Sequence, residues 1–139
     1  LPFIPTEVGR NATIAYDEFI PVAASLNTLK TDDDTLFVLP ALDGNPQLHI
    51  MTDLPPPSSW TTTHDCMLCA PGLPERLLTE WADTPPTLIV YFPELVSPRQ
   101  KIEPLLAFLE ANYVRIEETA FVPFNGPSYI YRHNEAFSR

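Results

Sequence analysis

Apolar residues in this chain come in short blocks whose spacing switches between helical and extended. Phe19, Val22, Ala23, Leu26 and Leu29 recur at three- and four-residue steps, which lines one face of a helix. Asp17 is placed to cap that helix, and Pro21 falls in its first turn, where a missing N–H costs little. Thr35–Pro40 (TLFVLP) is short, apolar and bounded by turn residues, as a strand buried on both faces of a parallel sheet is. Pro46–Thr52 predicts a short helix running into Pro55-Pro56-Pro57, and Asp65–Ala70 a second short strand. Pro74–Ala82 carries Leu77, Leu78 and Trp81 on one side, an amphipathic helix opening on Pro-Glu. Thr87–Phe92 (TLIVYF) is the most marked strand of all.

The closing third is the most regular. Between Pro98 and Tyr113, residues Ile102, Leu105, Leu106, Leu109 and Tyr113 fall on one helical stripe facing a sheet. Pro104 implies either a kink or a late true start for that helix. Val114–Val122 alternates imperfectly, Ser128–Arg132 is short and aromatic, and Asn125-Gly126-Pro127 between them predicts an antiparallel pair. Strands separated by helices give an α/β fold: a small, open, mostly parallel sheet flanked by helices, with an antiparallel pair at the C-terminal end.

Composition leaves that picture intact and sharpens its boundaries. The chain has 139 residues, 45% apolar and 19% charged, which suits one globular unit able to bury a core without staples. Seventeen prolines stand against four glycines. They cluster where elements should begin or end, because proline lacks a donor and pushes its predecessor out of the helical region. The chain opens on Leu1-Pro2-Phe3 rather than Met. Residues 1–13 are therefore expected to be a linker from a missing upstream region, with one α/β domain over 14–134 and a tail over 135–139.

Charge excludes whole classes of partner. Eight Lys and Arg against eighteen Asp and Glu leave −10, and the basic residues are scattered. A nucleic-acid backbone would be repelled, as would an anionic lipid face. Apolar runs such as Leu88–Phe92 are far short of the roughly 20 residues needed to span a bilayer, and the start has no signal-peptide pattern. Asp32-Asp33-Asp34 could suggest a cation site, but a solvated turn between helix and strand is the expected reading.

Candidate chemistry is sparse. Cys66-Met67-Leu68-Cys69 is a CxxC with His64 and Asp65 before it. A redox motif of that kind needs a helix N-terminus to lower the thiol pKa, yet Pro71 and Pro74 would break such a helix at once. Zinc needs about four ligands, and His49 and His133 lie far off in sequence. On a strand the two thiols would face opposite ways, which prevents a disulfide; in a turn an oxidised pair is open. Buried free thiols are expected first, a local disulfide second, redox or metal chemistry last. Trp60, in the polar loop Ser58–Thr63, is a candidate ligand or partner contact, against ordinary packing. Asn11-Ala12-Thr13 fits a glycosylation sequon. No nucleophile elbow, paired-histidine metal motif or glycine-rich phosphate loop occurs, and nothing calls for a cofactor or a catalytic residue.

Three segments carry a resemblance. Pro85-Pro86-Thr87-Leu88-Ile89-Val90, Phe108-Leu109-Glu110-Ala111-Asn112-Tyr113 and Ile130-Tyr131-Arg132 are similar to "pPdliv", "fLeenY" and "iYrr". That pattern marks the C-terminal soluble domain of bacterial lipid-carrier-dependent membrane glycosyltransferases, the group that includes protein mannosyltransferase-like and aminoarabinose-transferase-like proteins. Thr87 stands where Asp is usual. The resemblance spans most of residues 17–132 and implies a non-catalytic accessory domain on the extracytoplasmic (periplasmic) side, following membrane helices of the same polypeptide. A glycan or lipid-linked sugar would be its further contact. The family's catalytic acids lie in loops absent from this chain, so no residue inherits a catalytic role. The matched positions have structural explanations: Asn112 closing its helix in the left-handed conformation, Leu109 and Tyr113 packing on the sheet, Tyr131-Arg132 ending an edge strand. The alternative is a free-standing α/β protein, either thiol-redox through Cys66 and Cys69 or binding a small ligand at Pro40–Gly44 and Pro93–Ser97, beyond the carboxyl ends of the strands.

Overall fold

The computed structural model describes residues 19–39, 47–57, 72–96, 101–121 and 126–137. Its elements are α1 (residues 19–29), β1 (Leu36–Leu39), α2 (Gln47–Thr52), α3 (Leu73–Asp83), β2 (Leu88–Tyr91), a 3-10 turn (Pro93–Leu95), α4 (Glu103–Asn112), β3 (Tyr113–Phe121), β4 (Gly126–His133) and α5 (Asn134–Phe137). The expected strand over Asp65–Ala70 and the capping residue Asp17 lie outside the described residues.

The fold is α/β: helices pack on an open, mixed, four-stranded sheet of order β1-β2-β4-β3. β1 and β2 are parallel, pairing Leu36 with Leu88 and Leu39 with Tyr91. The C-terminal hairpin is antiparallel as expected, but it does not simply extend the sheet outward. β4 folds back between β2 and β3 and runs antiparallel to both. The sheet is therefore more mixed than the alternation of helices and strands implies, with one parallel and two antiparallel pairs. Tyr131-Arg132 closes an interior strand, not an edge strand. Side-chain polarity accounts for this order. Ser128 and Ile130 of β4 are fully buried, whereas β3 carries Arg115, Glu117 and Glu118 and suits the rim, where charge discourages further pairing. A bulge at Ile116, between Arg115 and Glu117, twists that rim strand.

Alternation along the strands splits the core into two layers. Leu36, Val38, Leu88, Val90 and Ile130 face α1 and α2, meeting Phe19, Val22, Leu26 and Leu48. Phe37, Leu39 and Ile89 face α3 and α4, meeting Leu77, Trp81, Leu105 and Leu109. All four residues of β1 are buried, which is why its sequence shows no polar alternation. Trp81 holds the second layer, edge-on to Phe37 at 5.0 Å between ring centres and 5.7 Å from Phe108.

Helix ends were only partly readable. Pro104 is the second residue of α4, so the late start holds and the kink does not. Asn112 is not left-handed. Its side-chain amide donates to the Phe108 carbonyl at 3.0 Å, and Tyr113 is already extended, at φ −128° and ψ 158°. With no loop between α4 and β3, a left-handed residue there would turn the chain away from the sheet. The left-handed non-glycine among the described residues is Asp53, φ 56°, just after α2. The last carbonyls of that helix are taken up by α1 and the residue after it: Asn27 donates to Met51 and the Lys30 ammonium to Thr52. A cation at a helix C-terminus also offsets the macrodipole.

Replacing Leu26, fully buried between α1 and the sheet, with Ala is expected to lower unfolding free energy by about 2–5 kcal/mol. Ile20→Ala on the exposed side of the same helix should change it by less than about 0.5 kcal/mol. Urea denaturation of both variants checks the assignment of that helix face.

Candidate functional site

The amino ends of β1 and β2 meet the carboxyl end of β4, and Asp34, Arg132, Thr35, Thr87 and Tyr113 gather there. Asp34 and Arg132 form an ion pair at 3.1 Å, with side chains only 5% and 13% exposed. Arg132 donates a further hydrogen bond to the Leu29 carbonyl at 2.8 Å, so one guanidinium ties β4 to the end of α1 and the start of β1. The Thr31 N–H donates to Asp34 Oδ2 at 2.7 Å. Beside them Thr35 and Thr87 exchange bonds: each N–H donates to the other's hydroxyl, at 2.8 and 3.1 Å, and the Thr87 hydroxyl donates to the Thr35 carbonyl. Next along the same end, the Tyr113 hydroxyl donates to the Pro86 carbonyl at 2.6 Å, and the His133 N–H to the Thr87 carbonyl at 3.0 Å.

Burial opposes the charge on Asp34. The Thr31 N–H and the Arg132 guanidinium, with the Thr87 hydroxyl dipole nearby, outweigh it, so its acidity is displaced below the ordinary aspartate value. Burial pushes the Tyr113 hydroxyl well above the ordinary tyrosine value. At neutral pH the first is a paired carboxylate and the second a neutral donor. The bonds of this cluster fasten the strands together. The acidic run Asp32-Asp33-Asp34 is thereby divided. Asp32 and Asp33 are exposed on a turn as expected, but Asp34 points inward and is not part of a solvated loop. Thr87 lies beside the Asp34 carboxylate, and a second carboxylate there would repel it.

Trp60, Cys66, Cys69 and His64 lie outside the described residues, as do Asn11–Thr13 and Pro40–Gly44. Among the described residues no group of three or more His, Cys, Asp or Glu is placed to hold a metal ion. Among the described residues a shallow, open depression forms at the amino end of β1. His49, Ile50, Asp53, Leu54, Pro55 and Pro56 line it. His49 Nδ1 is bonded to the Leu54 carbonyl at 2.9 Å, and the Pro55 carbonyl accepts from the Leu36 N–H at 2.9 Å, so its polar groups serve the loop that closes α2.

Sequence reasoning missed the Asp34–Arg132 pair. Its partners are 98 positions apart, and each has an ordinary surface reading on its own. The available signal was an arginine two residues beyond a fully buried Ile130, on the same face of a strand. Comparison with family models, curated proteins and solved structures returns no match.

Asp34→Ala leaves Arg132 without its carboxylate and is expected to destabilise the protein by about 3 kcal/mol. Because the folded-state pKa of Asp34 is lowered, its contribution is complete above the ordinary value of 3.8 and fades as pH falls through the folded value. Acid unfolding of the wild type should therefore lose stability below that point more steeply than Asp34→Asn does. Tyr113 behaves oppositely: its contribution is intact below 10.0 and declines as pH rises beyond it. Tyr113→Phe should cost about 1–3 kcal/mol at neutral pH, by stranding the Pro86 carbonyl. It should also flatten the alkaline decline without removing it, since Tyr91 and Tyr131 are raised too. Thermal unfolding across the alkaline range reads both effects.

Proposed function

We propose that this chain is a non-catalytic accessory domain of a polytopic membrane glycosyltransferase that transfers a sugar from a lipid-phosphate carrier. On this reading it sits on the extracytoplasmic, periplasmic side and packs against membrane helices of the same polypeptide. What supports the reading is the way the three resembling segments meet. Tyr113, at the end of the second, donates to Pro86 of the first. Leu88 of the first pairs directly with Arg132 of the third. Tyr113 pairs with His133, their rings edge-on at 5.0 Å. Segments separated by tens of residues thus form one structural unit, which is the kind of constraint a shared domain pattern records. Two further observations are compatible with the proposal. No helix among the described residues is long and apolar enough to cross a membrane, and the converging side chains have structural partners.

Sequencing the coding region upstream of Leu1 tests the proposal. Several hydrophobic spans of about 20 residues, in frame with this chain, are the expected result. An upstream reading frame without them sinks the proposal.

A further inference from the structure

The sheet face that α3 and α4 pack on ends in a cluster of tyrosines. Tyr91 of β2 and Tyr129 and Tyr131 of β4 share that face by strand alternation, with Tyr91 directly across from Tyr129 and their ring centres 6.4 Å apart. All three are half-buried. Unlike the hydroxyl of Tyr113, theirs have no hydrogen-bond partner among the described residues. The Arg115 guanidinium lies over the Tyr129 ring, 4.6 Å from its centre. Two exposed carboxylates border the group. Glu118 stands across from Tyr129 in the β3–β4 register, and Glu110 of α4 is near enough to Tyr131 to disfavour loss of its proton.

We propose that this tyrosine face docks an arginine-bearing segment of a partner protein, its guanidinium groups stacking on Tyr91 and Tyr131 and pairing with Glu110 and Glu118. The face already holds one guanidinium, that of Arg115, by the same stacking, so the geometry it offers to a second is demonstrated within the chain. Charge complementarity favours a cation: the rim carboxylates repel anions, and the chain as a whole carries −10. Tyrosine on a strand supplies a rigid contact area with a wet polar end, which suits a transient peptide interface. A neutral glycan could use the rings but would leave both carboxylates unused. The inference rests on this face alone and holds whether or not membrane helices precede the chain.

The test uses the full chain and a blocked peptide of alternating serine and arginine, with lysine and glutamate counterparts, followed through the tyrosine ring NMR signals. The arginine peptide should move the Tyr91, Tyr129 and Tyr131 signals, bind more tightly than the lysine peptide, and leave the glutamate peptide without effect. Glu118→Gln and Glu110→Gln, both at exposed positions and safe for folding, should each weaken binding about threefold, and Tyr131→Leu about tenfold. Glu75→Gln on α3 should leave it unchanged. Tyrosine signals that stay still while others move would overturn the proposal, as would a Glu75→Gln loss equal to that of Glu118→Gln. If a mannose trisaccharide moves these rings and the arginine peptide does not, the face belongs to a glycan and the proposal fails.

Discussion

Arg132 brings a permanent charge into the layer between the sheet and α1, and Asp34 is what makes that tolerable. Two charges withdrawn from water cost more than their mutual attraction returns, unless the remaining donors and acceptors are also met. Here they are: Asp34 takes the Thr31 N–H, and Arg132 reaches the Leu29 carbonyl. The pair joins α1, β1 and β4, elements from opposite ends of the sequence. The order of the sheet and the seating of α1 both depend on it.

That fastening continues sideways without a gap. Thr35 and Thr87 lock the first turns of the two parallel strands to each other. The Tyr113 hydroxyl then fixes the start of the hairpin to the segment before β2. One end of the sheet is thus held by polar, directional bonds, while the two apolar layers supply most of the burial. Hydrophobic packing is non-directional and would accept several strand orders. The polar end selects one of them, because only β4 beside β2 brings Arg132 to Asp34 and Thr87 to His133.

Pro86, Tyr113 and Arg132 belong to this same end, and the residue types follow from it. Tyrosine at 113 is needed as a donor on an apolar body, and arginine at 132 as a multidentate cation. Thr87 stands where a neutral hydroxyl can serve Thr35 without opposing Asp34. Such residues mark a fold more directly than they mark a chemistry.

Periodicity alone was enough for the elements with strong patterns. The stripe Phe19–Leu29 became a helix face, and so did Leu105–Leu109, while Ile102 precedes that helix and Tyr113 begins a strand. TLFVLP and TLIVYF became parallel neighbours. The two closing strands paired antiparallel, with Gly126 and Pro127 inside β4 and not between the strands. These are local properties, fixed by which side chains can share a face. The sequence could not order β4 before β3 in the sheet, turn Asp34 inward while Asp32 and Asp33 stayed in water, or deny Asn112 a left-handed turn. Each of those depends on a partner distant in sequence, so it was decided only when the chain closed on itself and a buried charge required its counter-ion.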